Sequence, residues 1–130
     1  MDTSRRAVDA AKAMAGIAIE DVGVCEVHDC FTVSGVLMTE ALGIAADGKG
    51  AEAVLRGLTR ADGRWPTNTG GGLVGYGHPT GATGVRMAVD LWRQLTGRAG
   101  GYQVEVKRDH GIMVSMGGND KTVVSLVVRR

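Results

Sequence analysis

The segment Asp21–Gly43, DVGVCEVHDCFTVSGVLMTEALG, decides the fold class of this chain. Its first part, Asp21–Val27, is rich in β-branched valine, which predicts a short strand. Its second part, Phe31–Leu42, carries apolar residues at helical spacing and is followed by Gly43, a residue typical of helix ends. A strand followed directly by a helix is the building unit of layered α/β proteins, so the segment predicts an α/β fold.

The rest of the chain continues this alternation. Further helices are predicted over residues 3–15, with Thr3 or Ser4 as the N-cap, and over Lys49–Leu55 and Thr83–Leu95. Two strands, Ile112–Met116 and Thr122–Val128, are joined by a hairpin-like turn at residues 117–120. Residues 57–81 are rich in glycine and are predicted to be loop.

Three of the predicted helices rest on residues that follow helical spacing. The first helix has the stripe Ala7, Val8, Ala11 and Met14. The second has Val33, Val36, Leu37, Thr39 and Ala41. The helix near the C-terminus has Val85, Ala88, Val89, Trp92 and Leu95.

Composition limits the classes of function. The 130 residues fit one domain, and a formal net charge of +1 gives no field that attracts nucleic acid. The longest aliphatic run, Val123–Val128, is too short to span a membrane. Two cysteines are too few for a disulfide scaffold, and no secretory signal is recognised. We therefore expect an intracellular protein, with cytoplasm, peroxisome and mitochondrion not distinguished.

The residues Val27–Phe31, VHDCF, lie where the predicted strand ends and the helix begins. In α/β proteins this edge faces the crevice that holds binding and catalytic sites. A thiol at a helix N-terminus has a reason to be reactive, because the helix dipole favours the thiolate. Cys30 and His28 are therefore candidate functional residues; the alternative is a small buried thiol and a hydrogen-bonded core histidine.

Residues 69–84, TGGGLVGYGHPTGATG, are the most glycine-rich stretch. No Gly-Lys-Ser/Thr sequence ends it, and its glycine spacing does not fit a dinucleotide-binding fingerprint. The stretch delivers one imidazole, His78, and Pro79 restricts the backbone directly after it. His78 is thus a further candidate, with a plain loop as the alternative.

A third stretch, Ser115–Gly118, has tight glycines that can expose backbone N–H groups, an arrangement suited to an oxyanion site. Taken alone, it predicts only a hairpin. No metal site is predicted, because Cys25, His28 and Cys30 lack zinc-ligand spacing. His110 is expected to be a solvated loop residue.

Together these segments resemble the C-terminal half of the thiolase superfamily, most closely the sterol-carrier-protein-2-type thiolases. Residues 28–31 read His-Asp-Cys-Phe, as in that type, where other thiolases have Asn-Glu-Ala-Phe. Gly70–Gly84 resembles the family's Gly-His-Pro block, with Thr69 where Asn is usual. Ser115–Gly117 occupies the place of the family's Cys-x-Gly loop, so the cysteine of that loop is absent, as in the sterol-carrier type.

The resemblance implies a fold and a set of roles. The fold is the C-terminal half of the thiolase fold, a layered α/β domain with a mixed sheet over residues 1–130, without the fold's first strand. Cys30 is implied as the acid/base at the substrate's Cα, with His78 and His28 donating to the thioester oxygen as the enolate forms. The backbone N–H of Gly117 is implied in a second oxyanion hole, which serves the acyl-enzyme.

The implied activity is that of a thiolase-type acyltransferase, an acetyl-CoA acetyltransferase or 3-ketoacyl-CoA thiolase. It would catalyse Claisen condensation or thiolytic cleavage of 3-oxoacyl-CoA in lipid metabolism, including fatty acid β-oxidation. Coenzyme A thioesters would be substrates, and no bound cofactor is implied.

The family's acyl-carrying cysteine belongs to its N-terminal half, and no residue here matches it. The chain alone is therefore expected to be inactive, with the missing N-terminal half as its partner. An incomplete sheet edge is expected to expose strand surface and to favour a homo-oligomer. Two alternatives stay open: a thiolase-like lyase that cleaves a steroid side-chain CoA ester by retro-aldol chemistry, and a non-catalytic interaction module.

Overall fold

A three-stranded mixed sheet forms the centre of the chain in the computed structural model, which describes residues 1–130. The strands are β1 (Val22–Val27), β2 (His110–Gly117) and β3 (Thr122–Arg129). Five helices surround them: α1 (Asp2–Ala15), α2 (Thr32–Leu42), α3 (Gly50–Leu55), α4 (Gly72–Tyr76) and α5 (Thr83–Leu95). The predicted α/β class is confirmed.

The sheet has the order β1-β2-β3, with β1 parallel to β2 and β2 antiparallel to β3. The other side of β1 is also paired, because the Cys25 N–H donates to the Pro66 carbonyl (2.8 Å) and the Asn68 N–H to the Cys25 carbonyl (3.0 Å). The edge strand is therefore β3, which leaves Val124 60% and Leu126 43% exposed.

Two apolar cores cover the two faces of the sheet. On one face α1 and α2 pack against a layer of strand residues that includes Cys25 and Ile112. On the other face, α5 packs against Val24 and Met113, which are the chain neighbours of Cys25 and Ile112. Alternation of side chains along a strand makes this division. None of the helices is long and apolar enough to cross a membrane.

The helix predicted over Thr83–Leu95 is confirmed, but the apolar residues that set its spacing are not all buried, since Val85 and Trp92 are 68% and 45% exposed. The buried face instead carries Met87, Leu91 and Leu95, together with the polar Asp90 and Gln94. A pattern based on apolar spacing misses such a face because its buried polar groups find partners within the fold. Gln94 donates to the Tyr102 carbonyl and the Thr69 hydroxyl, each at 2.8 Å.

Similar corrections apply to α1 and α2. Met14, placed in the α1 stripe, is 90% exposed, and Val33 in α2 is 61% exposed. The deepest residues are Val8 in α1 and Met38 and Leu42 in α2, all fully buried. Each helix buries a narrower stripe than its apolar content suggests.

The N-terminus of α1 is capped by a side chain from the other end of the sequence. Thr3 and Ser4 do not act as the N-cap; their backbone N–H groups donate to the carboxylate of Asp120, and the Ser4 hydroxyl does so at 2.6 Å. Asp120 lies in the predicted hairpin turn, which is confirmed and has positive φ at Asn119 and Asp120. One turn residue therefore links the hairpin to α1.

Two further predictions need correction. Residues 57–81 are not all loop, because they contain the five-residue helix α4. His110 is not a loop residue but begins β2, where it pairs with Val22 on one side and Arg129 on the other. The presence of α4 matters for the site, because this helix leads directly to His78.

Candidate active site

Hydrogen bonds fix the end of β1 on both sides. The Asn68 side chain accepts from the Val27 N–H (2.8 Å) and donates to the Val27 carbonyl (3.0 Å). The next backbone N–H, that of His28, donates to the Val114 carbonyl of β2 (3.0 Å). His28 thus leaves the sheet from a defined position.

The His28 side chain is only 5% exposed. Its Nδ1 is buried and has no hydrogen-bond partner. Burial, followed by the neighbouring His78, lowers the pKa of His28 below its ordinary value. His28 therefore presents a neutral imidazole at neutral pH.

Asp29 connects this corner to α4. Its Oδ1 accepts from the Leu73 N–H at 2.8 Å, in the first turn of α4. Gly72 is required there, because its φ is +61° and a Cβ would lie 2.1 Å from the Asp29 carboxylate. The short helix is therefore anchored to the same corner that carries His28.

His78 follows α4 by two residues and returns to this corner. Its ring meets that of His28 edge to face, with centroids 4.8 Å apart. Its Nδ1 lies 2.7 Å from the Thr83 hydroxyl at the start of α5. The glycine-rich stretch thus holds an imidazole in a fixed orientation.

The two cysteines occupy contrasting environments. Cys25 is fully buried, and its pKa is raised to about 12, first by burial and then by the charge of Glu26. Cys30 is partly exposed and lies one residue before Phe31, the N-cap of α2. The expected placement of Cys30 beside a helix N-terminus is confirmed, and it is the accessible thiol.

The candidate residues line a single cavity of about 270 Å³. The four residues singled out from the sequence all line it: His28, Cys30, His78 and Gly117. The remaining lining residues are Thr80, Thr83, Ser115, Met116, Gly118 and Asn119. Three segments far apart in the chain therefore meet at one place.

The cavity has the composition of a proton-transfer site. It offers one accessible thiol, two imidazoles and a glycine-rich strand end, without an acidic side chain in its lining. A thiol and imidazoles can exchange protons with a bound carbon acid, and imidazole N–H groups can stabilise an oxyanion. No group of three or more His, Cys, Asp or Glu residues is placed to hold a metal ion.

Sequence reasoning missed the residues that hold this site together. Asn68, Asp29 and Thr83 position the candidates but have no signature of their own. The signal for Asn68 is weak: an asparagine in a turn, here at φ 50°, where its amide can bond backbone groups.

Glu26 was missed as well. It is 4% exposed and faces a second cavity of about 250 Å³ between α4 and α5. Its pKa is raised to about 8, first by burial and then by the charges of Asp90 and Asp29. A buried glutamate in a strand gives no sequence signal that separates it from an exposed one.

Fold and site together define a domain of the thiolase class. A family model described as thiolase C-terminal domain-like matches residues 1–130, and the chain belongs to that family. The resemblance and the fold predicted from the sequence are confirmed.

Particular relatives are similar over most of the chain. An acetyl-CoA acetyltransferase of Methanothermobacter thermautotrophicus is 39% identical over 130 residues, which are 100% of this chain and 34% of that protein. Human sterol carrier protein 2 is 42% identical over 103 residues, 79% of this chain and 19% of that protein. A solved structure, the Ltp2-ChsH2(DUF35) aldolase, has a TM-score of 0.83 at 23% identity, covering 97% of this chain and 31% of that one. The chain thus spans about a third or less of each relative's length.

Proposed function

We propose that this chain is the C-terminal domain of a thiolase-type acyltransferase that condenses or cleaves coenzyme A thioesters. The observation that carries the proposal is the meeting of Cys30, His28 and His78 around one cavity. Family membership and the acetyl-CoA acetyltransferase relative support acyl-CoA as the substrate.

In the condensing direction, the Cys30 thiolate removes a proton from the Cα of an acyl-CoA. The negative charge moves onto the thioester oxygen, where the imidazole N–H groups of His78 and His28 stabilise it. An imidazole N–H suits this role, because it donates a hydrogen bond to the oxygen and keeps its proton.

The enolate carbon then attacks an acyl group carried by a cysteine of the N-terminal half. This attack forms the new carbon–carbon bond and an oxyanion, which accepts a hydrogen bond from the backbone N–H of Gly117. Collapse of the oxyanion then breaks the carbon–sulfur bond and releases that cysteine as a thiolate. Cleavage runs the same steps in reverse, with coenzyme A accepting the acyl group and Cys30 returning the proton to Cα.

The acyl-carrying cysteine lies outside these residues in this proposal, so the test requires a longer polypeptide. The mass of the endogenous protein, measured by top-down mass spectrometry, is expected to be roughly three times that of the 13.5 kDa chain, in line with the 34% share of the acetyltransferase relative. A native species near 13.5 kDa would instead favour a non-catalytic module that acts through a partner.

The full-length protein is then assayed with acetoacetyl-CoA and coenzyme A. We expect two acetyl-CoA per substrate, with activity lost in Cys30→Ala by about 10²–10⁴-fold, as for removal of a general base. Cys25→Ala is the matched control, because it removes a thiol that does not line the cavity.

A second assay, with a 3-hydroxyacyl-CoA supplied without coenzyme A, tests the lyase alternative. Retro-aldol cleavage of a 3-hydroxyacyl-CoA yields a carbonyl compound and a shorter acyl-CoA and consumes no coenzyme A. Cleavage that is independent of coenzyme A would therefore contradict the acyltransferase and support the lyase.

A further inference from the structure

The hydrogen bonds around Thr83 determine which nitrogen of His78 carries a proton. The Thr83 hydroxyl lies 2.7 Å from His78 Nδ1 and 3.2 Å from the Pro79 carbonyl oxygen. A hydroxyl has a single hydrogen, so it can donate to only one of these two groups.

The Pro79 carbonyl already has two donors. The backbone N–H of Ala82 donates to it at 2.8 Å and that of Thr83 at 3.1 Å. A carbonyl oxygen has two lone pairs, and both are taken by these backbone bonds. The contact from the Thr83 hydroxyl, at 3.2 Å, is the third and the longest contact of this carbonyl oxygen. Pro79 is therefore a weaker acceptor for the hydroxyl hydrogen than His78 Nδ1.

We infer that Thr83 is a positioning residue that donates its hydroxyl hydrogen to His78 Nδ1 and so keeps the proton of the neutral ring on Nε2. Because Nδ1 is occupied by this bond, Nε2 is the nitrogen left to donate to a ligand.

This inference rests on the proposed function for its purpose, because a neutral Nε2–H donor is what a developing thioester enolate requires. It does not rest on that function for its test. The position of a proton on an imidazole is measured without substrate and without the rest of the enzyme.

The test uses the ¹⁵N-labelled chain, which has only three histidines, His28, His78 and His110. Long-range ¹H–¹⁵N correlation spectra distinguish a protonated, pyrrole-type ring nitrogen from an unprotonated, pyridine-type one. Single His→Gln variants assign the three rings. At neutral pH we expect His78 to show a pyrrole-type Nε2 and a pyridine-type Nδ1.

Three variants test the effect of the Thr83 hydroxyl on the position of the His78 proton. Thr83→Val removes it with little change in shape, and the His78 Nδ1 signal should move towards the pyrrole type as the other tautomer becomes populated. Thr83→Ser keeps the hydroxyl and should restore the native pattern. Thr80→Val is the matched control: Thr80 lines the same cavity but makes no hydrogen bond to His78, so the pattern should not change.

The native spectrum alone can overturn the inference. A protonated Nδ1 on His78 at neutral pH would show that Thr83 accepts rather than donates, whether or not Thr83→Val folds. An unchanged His78 pattern in a folded Thr83→Val variant would also overturn it. If instead the tautomer is as expected but the full-length protein lacks acyl-CoA activity, only the proposed function fails.

Discussion

The rings of His28 and His78 meet edge to face, with their planes at 86° and their centroids 4.8 Å apart. Burial disfavours a positive charge on the His28 ring, and the second imidazole at this distance adds to the effect, so the pKa of His28 is lowered. His28 is therefore uncharged at neutral pH and can donate one hydrogen bond.

The first prediction concerns the pKa of His28. Replacing His78 by phenylalanine keeps an aromatic ring but removes the neighbouring imidazole that lowers the pKa of His28, so this pKa should rise. It should stay below the ordinary value of 6.5, because burial is the larger cause of its depression. An NMR pH titration of the His28 ring measures the change, and an unchanged or lower pKa would contradict this account.

A second variant should change the pKa of His28 in the opposite direction. The Asp29 carboxylate raises the pKa of His28, so Asp29→Asn should lower it further. The asparagine side-chain oxygen can still accept the hydrogen bond from the Leu73 N–H, so α4 should keep its anchor.

The second prediction concerns thiol reactivity. At pH 8, Cys30 should alkylate with iodoacetamide at least ~10-fold faster than Cys25, because Cys25 is fully buried and only about one in 10,000 of its thiols is ionised at a pKa of about 12. Peptide mass spectrometry at timed intervals measures both rates.

In the urea-unfolded chain the two cysteines should react at similar rates, which would show that the fold creates the difference. Equal and slow reaction of both thiols in the folded protein would exclude Cys30 from the acid/base role.

The third prediction concerns the pH dependence of stability. The pKa of Glu26 is about 8 in the folded chain, above its ordinary value of 4.5. The stabilisation from this protonated group is complete below pH about 4.5 and is lost as pH rises towards 8, by a few kcal/mol at ~1.4 kcal/mol per pH unit.

Glu26→Gln cannot ionise, so it should be more stable than the native chain at pH 8.5 and close to it at pH 4.5. Urea unfolding at both values measures the difference. Glu52→Gln, at an exposed ion pair, is the control and should change stability by less than about 1 kcal/mol at either pH. A Glu26→Gln variant that is less stable than the native chain at pH 8.5 would show that the ionised glutamate is stabilised rather than penalised.

The fourth prediction concerns the distant cap of α1. Burial raises the pKa of Asp120, but hydrogen bonds from the Ser4 hydroxyl and the backbone N–H groups of Thr3 and Ser4 lower it more, so the net pKa lies below its ordinary value. Asp120→Ala should cost about 1–2 kcal/mol of unfolding free energy at pH 7.

Because the depressed pKa stabilises the fold above about pH 4, the difference between native and variant should shrink as the pH falls through the pKa of the native carboxylate. Thermal unfolding at pH 7 and pH 3 measures both effects. Asp62→Ala, at an exposed carboxylate paired with Arg60, should change neither value by more than about 0.5 kcal/mol. A cost that is the same at both pH values would show that Asp120 acts through the turn alone.

Local signals in the sequence were sufficient for most elements of the fold, but not for α4 or for the start of β2 at His110. Valine runs located β1 and β3, glycines located helix ends, and the glycine-asparagine turn located the hairpin, since each depends on residues within a few positions. The candidate cavity could be approached only through the resemblance of residues 28–31 and 70–84 to a family, because no local rule brings a strand end and a distant imidazole together.

The missed features depend on partners far along the chain. Asp90 is buried because Arg86 and the Tyr102 hydroxyl donate to its carboxylate, and Gln94 because it donates to the Thr69 hydroxyl and the Tyr102 carbonyl. Ser4 is buried because it donates to Asp120. A spacing rule sorts residues by hydrophobicity and so assigns such polar groups to the surface. On α5, for example, Trp92 is exposed and its neighbour Leu91 is buried.

The parallel pairing of β1 with β2 also sets the order in which the protein can fold. Val27 pairs with Val114, and everything between them must be looped out before the two strands meet. Such distant contacts give their stabilisation only after the loop-closure entropy has been lost, which slows folding. During synthesis β1 cannot pair with β2 until β2 has left the ribosome, so this side of the strand stays unpaired while the intervening helices are made.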